Sequence, residues 1–198
     1  MNEKSETEIV LVKDRMIKTF TTLPETLSPA EAGSRLQPGT FGVVLDKYGQ
    51  PIALVTAGDV KKAADSGAPR LDHPSAGLPP AIITDSEVKI QTLIRSDVMT
   101  LFDIGARGAV VMENNEVTGV LPADAITDYI GRGEISPVRA KKGYAAVVDA
   151  GLGGSHQVPL GRIRCFECGF VNTVSFIDEN NLPPCKNPNL SSHTLALH

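Results

Sequence analysis

The strongest constraint on this chain is that it repeats itself. Residues 42–60 lie over residues 108–126 at a constant offset of 66 with no gap. The first stretch reads GVVLDKYGQPIALVTAGDV and the second GAVVMENNEVTGVLPADAI. Each carries an apolar strand, a polar turn, a second apolar strand and the start of a helix. The turns are Lys47-Tyr48-Gly49-Gln50 and Glu113-Asn114-Asn115-Glu116, and Gly and Asn suit such turns because they tolerate positive φ.

Upstream, each copy predicts a short strand followed by a helix. In the first, Thr21-Thr22-Leu23 leads to Ser28-Pro29-Ala30-Glu31. That tetrapeptide has the form of a capping box, with Ser at the N-cap, Pro at the first helical position and Glu at the third. In the second, Ala81-Ile82-Ile83-Thr84 leads to a helix expected from about Ser86, with Val88, Leu93, Val98 and Leu101 inward. Here the offset is nearer 60, so the second helix or the loop after it is longer by about six residues. Both copies therefore read β-α-β-β-α. Neither is large enough to bury much surface alone, so the two are expected to pack together. Residues 66–80, rich in Pro and Gly, are expected to be a surface connection.

Val12-Lys13-Asp14-Arg15-Met16 is similar to the V-x-D-x-M segment of CBS domains. Gly42-Val43-Val44-Leu45-Asp46, Gly49 and Ala53-Leu54-Val55-Thr56-Ala57-Gly58-Asp59-Val60 resemble the strand–turn–strand–helix core of that family. The resemblance spans residues 9–133, with one CBS domain over 9–65 and a second over 81–133. It implies an α+β fold of two packed β-α-β-β-α repeats (a Bateman module). It also implies a regulatory, non-catalytic role and a disc-like homodimer formed through the helical faces. The ligand implied is an adenine nucleotide (AMP or ATP) or a related adenosyl compound such as S-adenosylmethionine.

The candidate nucleotide site is Thr56-Ala57-Gly58-Asp59, where a strand gives way to a helix. A helix N-terminus presents unpaired N–H groups and the positive end of the helix dipole, which favours phosphate. Gly58 permits close backbone approach. In CBS pairs that this chain resembles, Thr and Asp at these positions hold the phosphate and the ribose hydroxyls. The same two residues also read as ordinary helix caps. The second copy departs from the pattern: Pro122 and Ala125 stand where the first has Thr56 and Asp59, and Asp124 lies one position early. One competent site per chain is expected. Phe41 and Ile83 are candidates for apolar contact with a base, and both read equally as core.

Residues 134–160 are expected to be a linker, with a possible short strand over 145–148. Its glycine run, Gly151-Leu152-Gly153-Gly154-Ser155, lacks the Gly-Lys-Ser/Thr ending of a phosphate loop. Residues 161–198 then read as a small β domain of zinc-ribbon type. All three cysteines of the chain fall here, as Cys165-x2-Cys168 and Cys185, followed by His193. An odd number of clustered cysteines is not a disulfide framework, and Cys-x2-Cys can chelate one tetrahedral metal. Three thiolates and one imidazole favour zinc. A standard ribbon would close with two ligands about two residues apart, whereas here the last spacing is seven, which makes His193 the unusual ligand. A strand is predicted over 171–177, with Asn172, Val174 and Phe176 on one face.

Composition narrows the function classes. The formal net charge is −4 and the sequence has no Trp, which argues against a surface that grips or stacks nucleic acid. A basic stretch (Arg132, Arg139, Lys141, Lys142, Arg162, Arg164) and the ribbon keep a nucleic-acid-associated regulator as the second reading. No nucleophile–base constellation suggests an enzyme. No apolar run approaches the ~20 residues of a membrane span, and the polar start Met-Asn-Glu-Lys is unlike a signal peptide. A cytoplasmic protein is expected.

Overall fold

A computed structural model describes residues 9–131, 158–190 and 192–197. The first repeat comprises β1 (Phe20–Pro24), α1 (Pro29–Arg35), β2 (Phe41–Leu45), β3 (Pro51–Val55) and α2 (Ala57–Asp65). The second comprises β4 (Ala81–Asp85), α3 (Ile90–Arg95), β5 (Gly108–Glu113), β6 (Glu116–Pro122) and α4 (Ala123–Gly131). In each, the first strand pairs parallel with the second, and the second antiparallel with the third. The β-α-β-β-α reading holds for both copies.

Local chemistry explains most boundaries. Ser28 caps α1 and Glu31 returns the bond, with Glu31 Oε2 accepting from Ser28 N at 3.0 Å. The turn residues Gly49, Asn114 and Asn115 all adopt positive φ. The six extra residues of the second copy are a 3-10 turn over Asp97–Phe102, which buries Val98 and Leu101.

Helix α3 starts at Ile90 and not near Ser86. The backbone of residues 86–90 is already occupied: Val12 N donates to Val88 O at 2.9 Å, Lys13 N to Ser86 O at 3.0 Å, and Ile90 N to Val10 O at 3.0 Å. The residues that precede β1 thus pack on the second repeat, with Val10 and Val12 in its core. The converse also holds. The connection before β4 packs on the first repeat: Leu71 N donates to Leu27 O, Asp72 N to Glu25 O, and Leu71 is fully buried. The expectation of a surface connection over 66–80 is therefore corrected. Leu71, Ala68 and Ala76 are buried, Leu78 packs partly buried beside them, and the repeats are laced together by exchanged lead-in segments.

The C-terminal segment is joined to the second repeat and is not a free-standing ribbon. Strand β7 (Leu160–Arg164) pairs antiparallel with β4, and β8 (Val171–Val174) pairs with β7. The second sheet consequently runs β6-β5-β4-β7-β8, whereas the first has three strands. Gly161 makes the fit possible, because a Cβ there would collide with the side chain of Leu101. Strand β8 is shorter than expected. After Val174 the alternation breaks, leaving Phe176 half-exposed and burying Ile177, whose N–H donates to Thr100 Oγ1 at 3.2 Å. The predicted strand at 145–148 and most of the linker lie outside the described residues.

Candidate ligand cleft and metal centre

Thr56 and Asp59 form a closed capping box at the start of α2. Asp59 N donates to Thr56 Oγ1 at 3.4 Å, while Asp59 Oδ2 accepts from Thr56 N at 2.9 Å and from Thr56 Oγ1 at 2.7 Å. A further partner comes from the other repeat. Arg107, just ahead of β5, donates through Nη2 to Asp59 Oδ1 at 2.6 Å and through Nε to Oδ2 at 3.1 Å. Burial alone would raise the Asp59 carboxyl. The Arg107 guanidinium and the bonds from Thr56 outweigh it and hold the group below the ordinary carboxylate value. Arg107 is raised in turn, chiefly by its bond to Asp59.

Asp59 and Arg107 line a cleft of about 680 Å³. Its walls come from four parts of the chain: β3 with α2, the connection over 71–80, the loop at 103–107, and the C-terminal segment at Arg164, Phe166 and Leu182. The other expected contacts are elsewhere. Phe41 packs in the cluster between the two sheets with Val43, Leu54 and Val110. Ile83 lines a separate cavity of about 360 Å³ with Met112 and Arg162. Of the expected nucleotide-binding residues, the structure therefore brings only Asp59 to the wall of the larger cleft; Thr56, Ala57, Gly58, Phe41 and Ile83 do not line it. In the second repeat, Pro122 ends β6 and directly precedes α4. Nothing in the sequence marks Arg107, because a lone Arg ahead of a strand carries no signal of its partner 48 residues away.

Arg162 and Arg164 are already engaged. Arg162 pairs with Asp46 at 3.3 Å and Arg164 with Glu25 at 2.9 Å, both acids belonging to the first repeat and both pairs largely buried. For these two residues a phosphate-facing surface is corrected to a strap between β7 and the first repeat. Arg132, Arg139, Lys141 and Lys142 lie outside the described residues.

The metal-ligand set converges. The donor atoms of Cys165, Cys168, Cys185 and His193 all lie within 4.8 Å of one another. Cys165 Sγ stands 3.5 Å from His193 Nε2, and Cys168 Sγ 3.6 Å from Cys185 Sγ. A tetrahedral zinc with S and N ligands places sulfur pairs about 3.8 Å and sulfur–nitrogen pairs about 3.6 Å apart, so the donor set fits zinc. The first pair is held by a tight turn in which Gly169, at positive φ, donates from N to Cys165 O at 2.8 Å. His193 arrives by backbone pairing: Cys185 N donates to His193 O at 2.8 Å and Leu195 N to Pro183 O at 2.9 Å.

The thiols are tuned unequally. Burial opposes the Cys165 thiolate, but donors from Ala196, Cys168 and His193 outweigh it and bring the group to about 6. Cys168 is also lowered against burial, by bonds from Asn187 and Phe170 among others, whereas burial pushes Cys185 up. Asn172, buried in β8, donates to Phe170 O at 3.2 Å and towards Cys185 Sγ at 3.5 Å, and its Oδ1 accepts from Lys186 N at 2.7 Å. This amide orients the thiolate shell. Its signal in the sequence was a polar residue on the same strand face as Val174.

Among the described residues, no helix is long and apolar enough to cross a membrane. No family model and no curated protein matches the chain. Among solved structures, the chain is similar to the CBS domain pair of protein MJ0100 in complex with 5′-methylthioadenosine and S-adenosyl-L-methionine. The identity is 18% and the TM-score 0.47, over 64% of this chain and 99% of that one. It is similar to the CBS-domain-containing protein ATU1752 from Agrobacterium tumefaciens at 20% identity and TM-score 0.42, over 64% and 98% of the two chains. A conserved CBS domain protein of unknown function from Thermoplasma acidophilum, TA0289, matches at 16% identity and TM-score 0.42, over 64% and 72%. These similar structures are all CBS-domain proteins.

Proposed function

We propose that the chain is a non-catalytic sensor that binds an adenine nucleotide, or a related adenosyl compound, in the cleft where Asp59 of the first repeat meets Arg107 of the second. That meeting is the observation that carries the reading. The cleft's volume lies within the ~300–1,000 Å³ of small-molecule sites. Asp59 Oδ1 has one hydrogen bond, from Arg107, and a carboxylate oxygen accepts two, so a ribose hydroxyl can join it. Arg107 and Lys62, both on the cleft wall, supply positive charge for phosphate. A ligand that takes either partner of the pair competes with the contact between the repeats. Ligand binding is thereby coupled to how the two halves sit together, which is what a sensor needs.

The metal centre is zinc held by Cys165, Cys168, Cys185 and His193. With four protein ligands it is a closed site, and bound zinc supplies folding energy to a segment with little core of its own. Its place in the function is to fix the C-terminal segment for docking to a partner.

Isothermal titration with ATP, AMP and S-adenosylmethionine tests the ligand site. Asp59→Ala is expected to weaken binding by about 1.5–3 kcal/mol, one to two decades, and Asp124→Ala to change it little. If none of the three compounds binds the full chain at millimolar concentration, or if Asp59→Ala binds as tightly as wild type, Thr56 and Asp59 are caps and nothing more.

A further inference from the structure

We infer that the base of the bound nucleotide stacks on Phe166, so that recognition of the base belongs to the metal-held segment, while the ribose is held by the first repeat. This inference rests on the cleft being the nucleotide site. The apolar base contacts expected from the repeats are not there: Phe41 is committed to the core between the sheets and Ile83 lines a different cavity, and the ring that the connection between the repeats brings to the cleft is the polar imidazole of His73. Among the described residues, Phe166 is the one phenyl ring on the wall of the Asp59 cleft. It is 44% exposed although its neighbour Cys165 is fully buried. A large, partly exposed apolar side chain on a cleft wall, on a backbone that is itself fixed, is what a stacking platform requires.

The backbone is fixed on both sides. Phe166 N donates to Ala196 O at 2.8 Å, and Cys165 N to Phe170 O at 2.9 Å. On the other flank, Arg164 donates through Nη1 to Gly169 O at 2.8 Å and through Nη2 to Glu25 Oε2 at 2.9 Å. Each of these contacts is adjacent to a metal ligand or to the turn between two of them. Zinc therefore locks this phenyl wall, and its loss releases that wall while leaving Asp59 and Arg107 in place. The metal centre and the ligand site are two parts of one device.

The chain has no tryptophan, which makes Phe166→Trp a single-indole reporter. In the zinc-loaded full chain, ATP is expected to quench the F166W emission and to saturate at the concentration found by calorimetry. Phe166→Ala is expected to weaken ATP binding roughly tenfold, the scale of one base–aromatic stack, while inorganic tripolyphosphate binds it as it binds wild type. Chelator-treated wild-type protein should lose at least as much ATP affinity as Phe166→Ala does. Should wild type bind ATP while the F166W emission stays constant and Phe166→Ala binds equally well, the base lies elsewhere and the cleft reading survives without this inference. Equal ATP affinity with and without metal would overturn the coupling to zinc. Absence of any ATP binding to wild type would overturn the cleft reading itself, and the inference with it.

Discussion

The two repeats share one topology and differ at both of their functional edges. The first has Thr56 and Asp59 at the start of α2, and its outer strand β1 pairs on one side only. The second has Pro122 and Ala125 at the corresponding places, and its outer strand β4 carries β7 and β8. Arg107, the cation that meets Asp59, stands at the offset position of Phe41. A pseudo-symmetric pair has thus been divided: one copy supplies a carboxylate at a helix N-terminus, and the other supplies its cationic partner and the platform for the segment that carries the Cys3His cluster. Duplication provides two equivalent edges, and sequence divergence gives them unequal tasks.

The largest effect should come from removing the metal, because it strips the second sheet of what distinguishes it. Cys165→Ser with Cys168→Ser is expected to abolish zinc, measured by elemental analysis of untagged protein. Structural zinc binding is worth about 10–16 kcal/mol, so hydrogen exchange should accelerate in β7, in β8 and along β4, while β1 to β3 keep their protection. Retention of one zinc per chain, or equal acceleration in both sheets, would break the comparison.

A smaller loss is expected from Leu71→Ala, which probes the exchanged lead-in. The side chain is fully buried in the first repeat, and truncation of such a leucine costs about 2–5 kcal/mol. Urea unfolding reads it directly. A cost below about 1 kcal/mol would mean that the connection only rests on the surface.

The smallest effect belongs to the bridge between the repeats. Because the folded-state value of Asp59 is depressed, its contribution is present above the unfolded aspartate value of about 3.9 and is lost as pH falls through the lower folded value. Arg107 is 39% exposed, so solvent screening limits the pair to about 1 kcal/mol. Melting curves of wild type and Asp59→Asn between neutral and acid pH should converge as pH falls below that window. A difference that persists unchanged into acid would assign the effect to the capping bonds alone.

Much of the fold was legible because it is written in short-range chemistry. The 66-residue repeat, the capping box of Ser28 and Glu31, and the positive-φ turns at Gly49 and Asn114-Asn115 depend on neighbours within a few positions. The three cysteines were legible for the same reason, as two of them sit at chelating spacing. His193 was named from its chemistry, but its arrival depends on backbone pairing between residues 183–185 and 193–195.

Other features needed the folded chain. Nothing local marks Arg107 as the partner of Asp59, Leu71 as core of the first repeat, or β7 as a strand of the second sheet. Each joins residues far apart in sequence, and the free energy that selects them is burial and charge neutralisation at a distance. The sequence by itself determined the repeated unit, the capped helix N-terminus and the metal-ligand chemistry, since propensity, turn geometry and donor spacing act along the chain. Only tertiary structure decided that the cleft takes its cation from the second repeat and the phenyl ring of Phe166 from the C-terminal segment. Which surfaces face a cavity is set by the packing of strands and loops from all parts of the molecule.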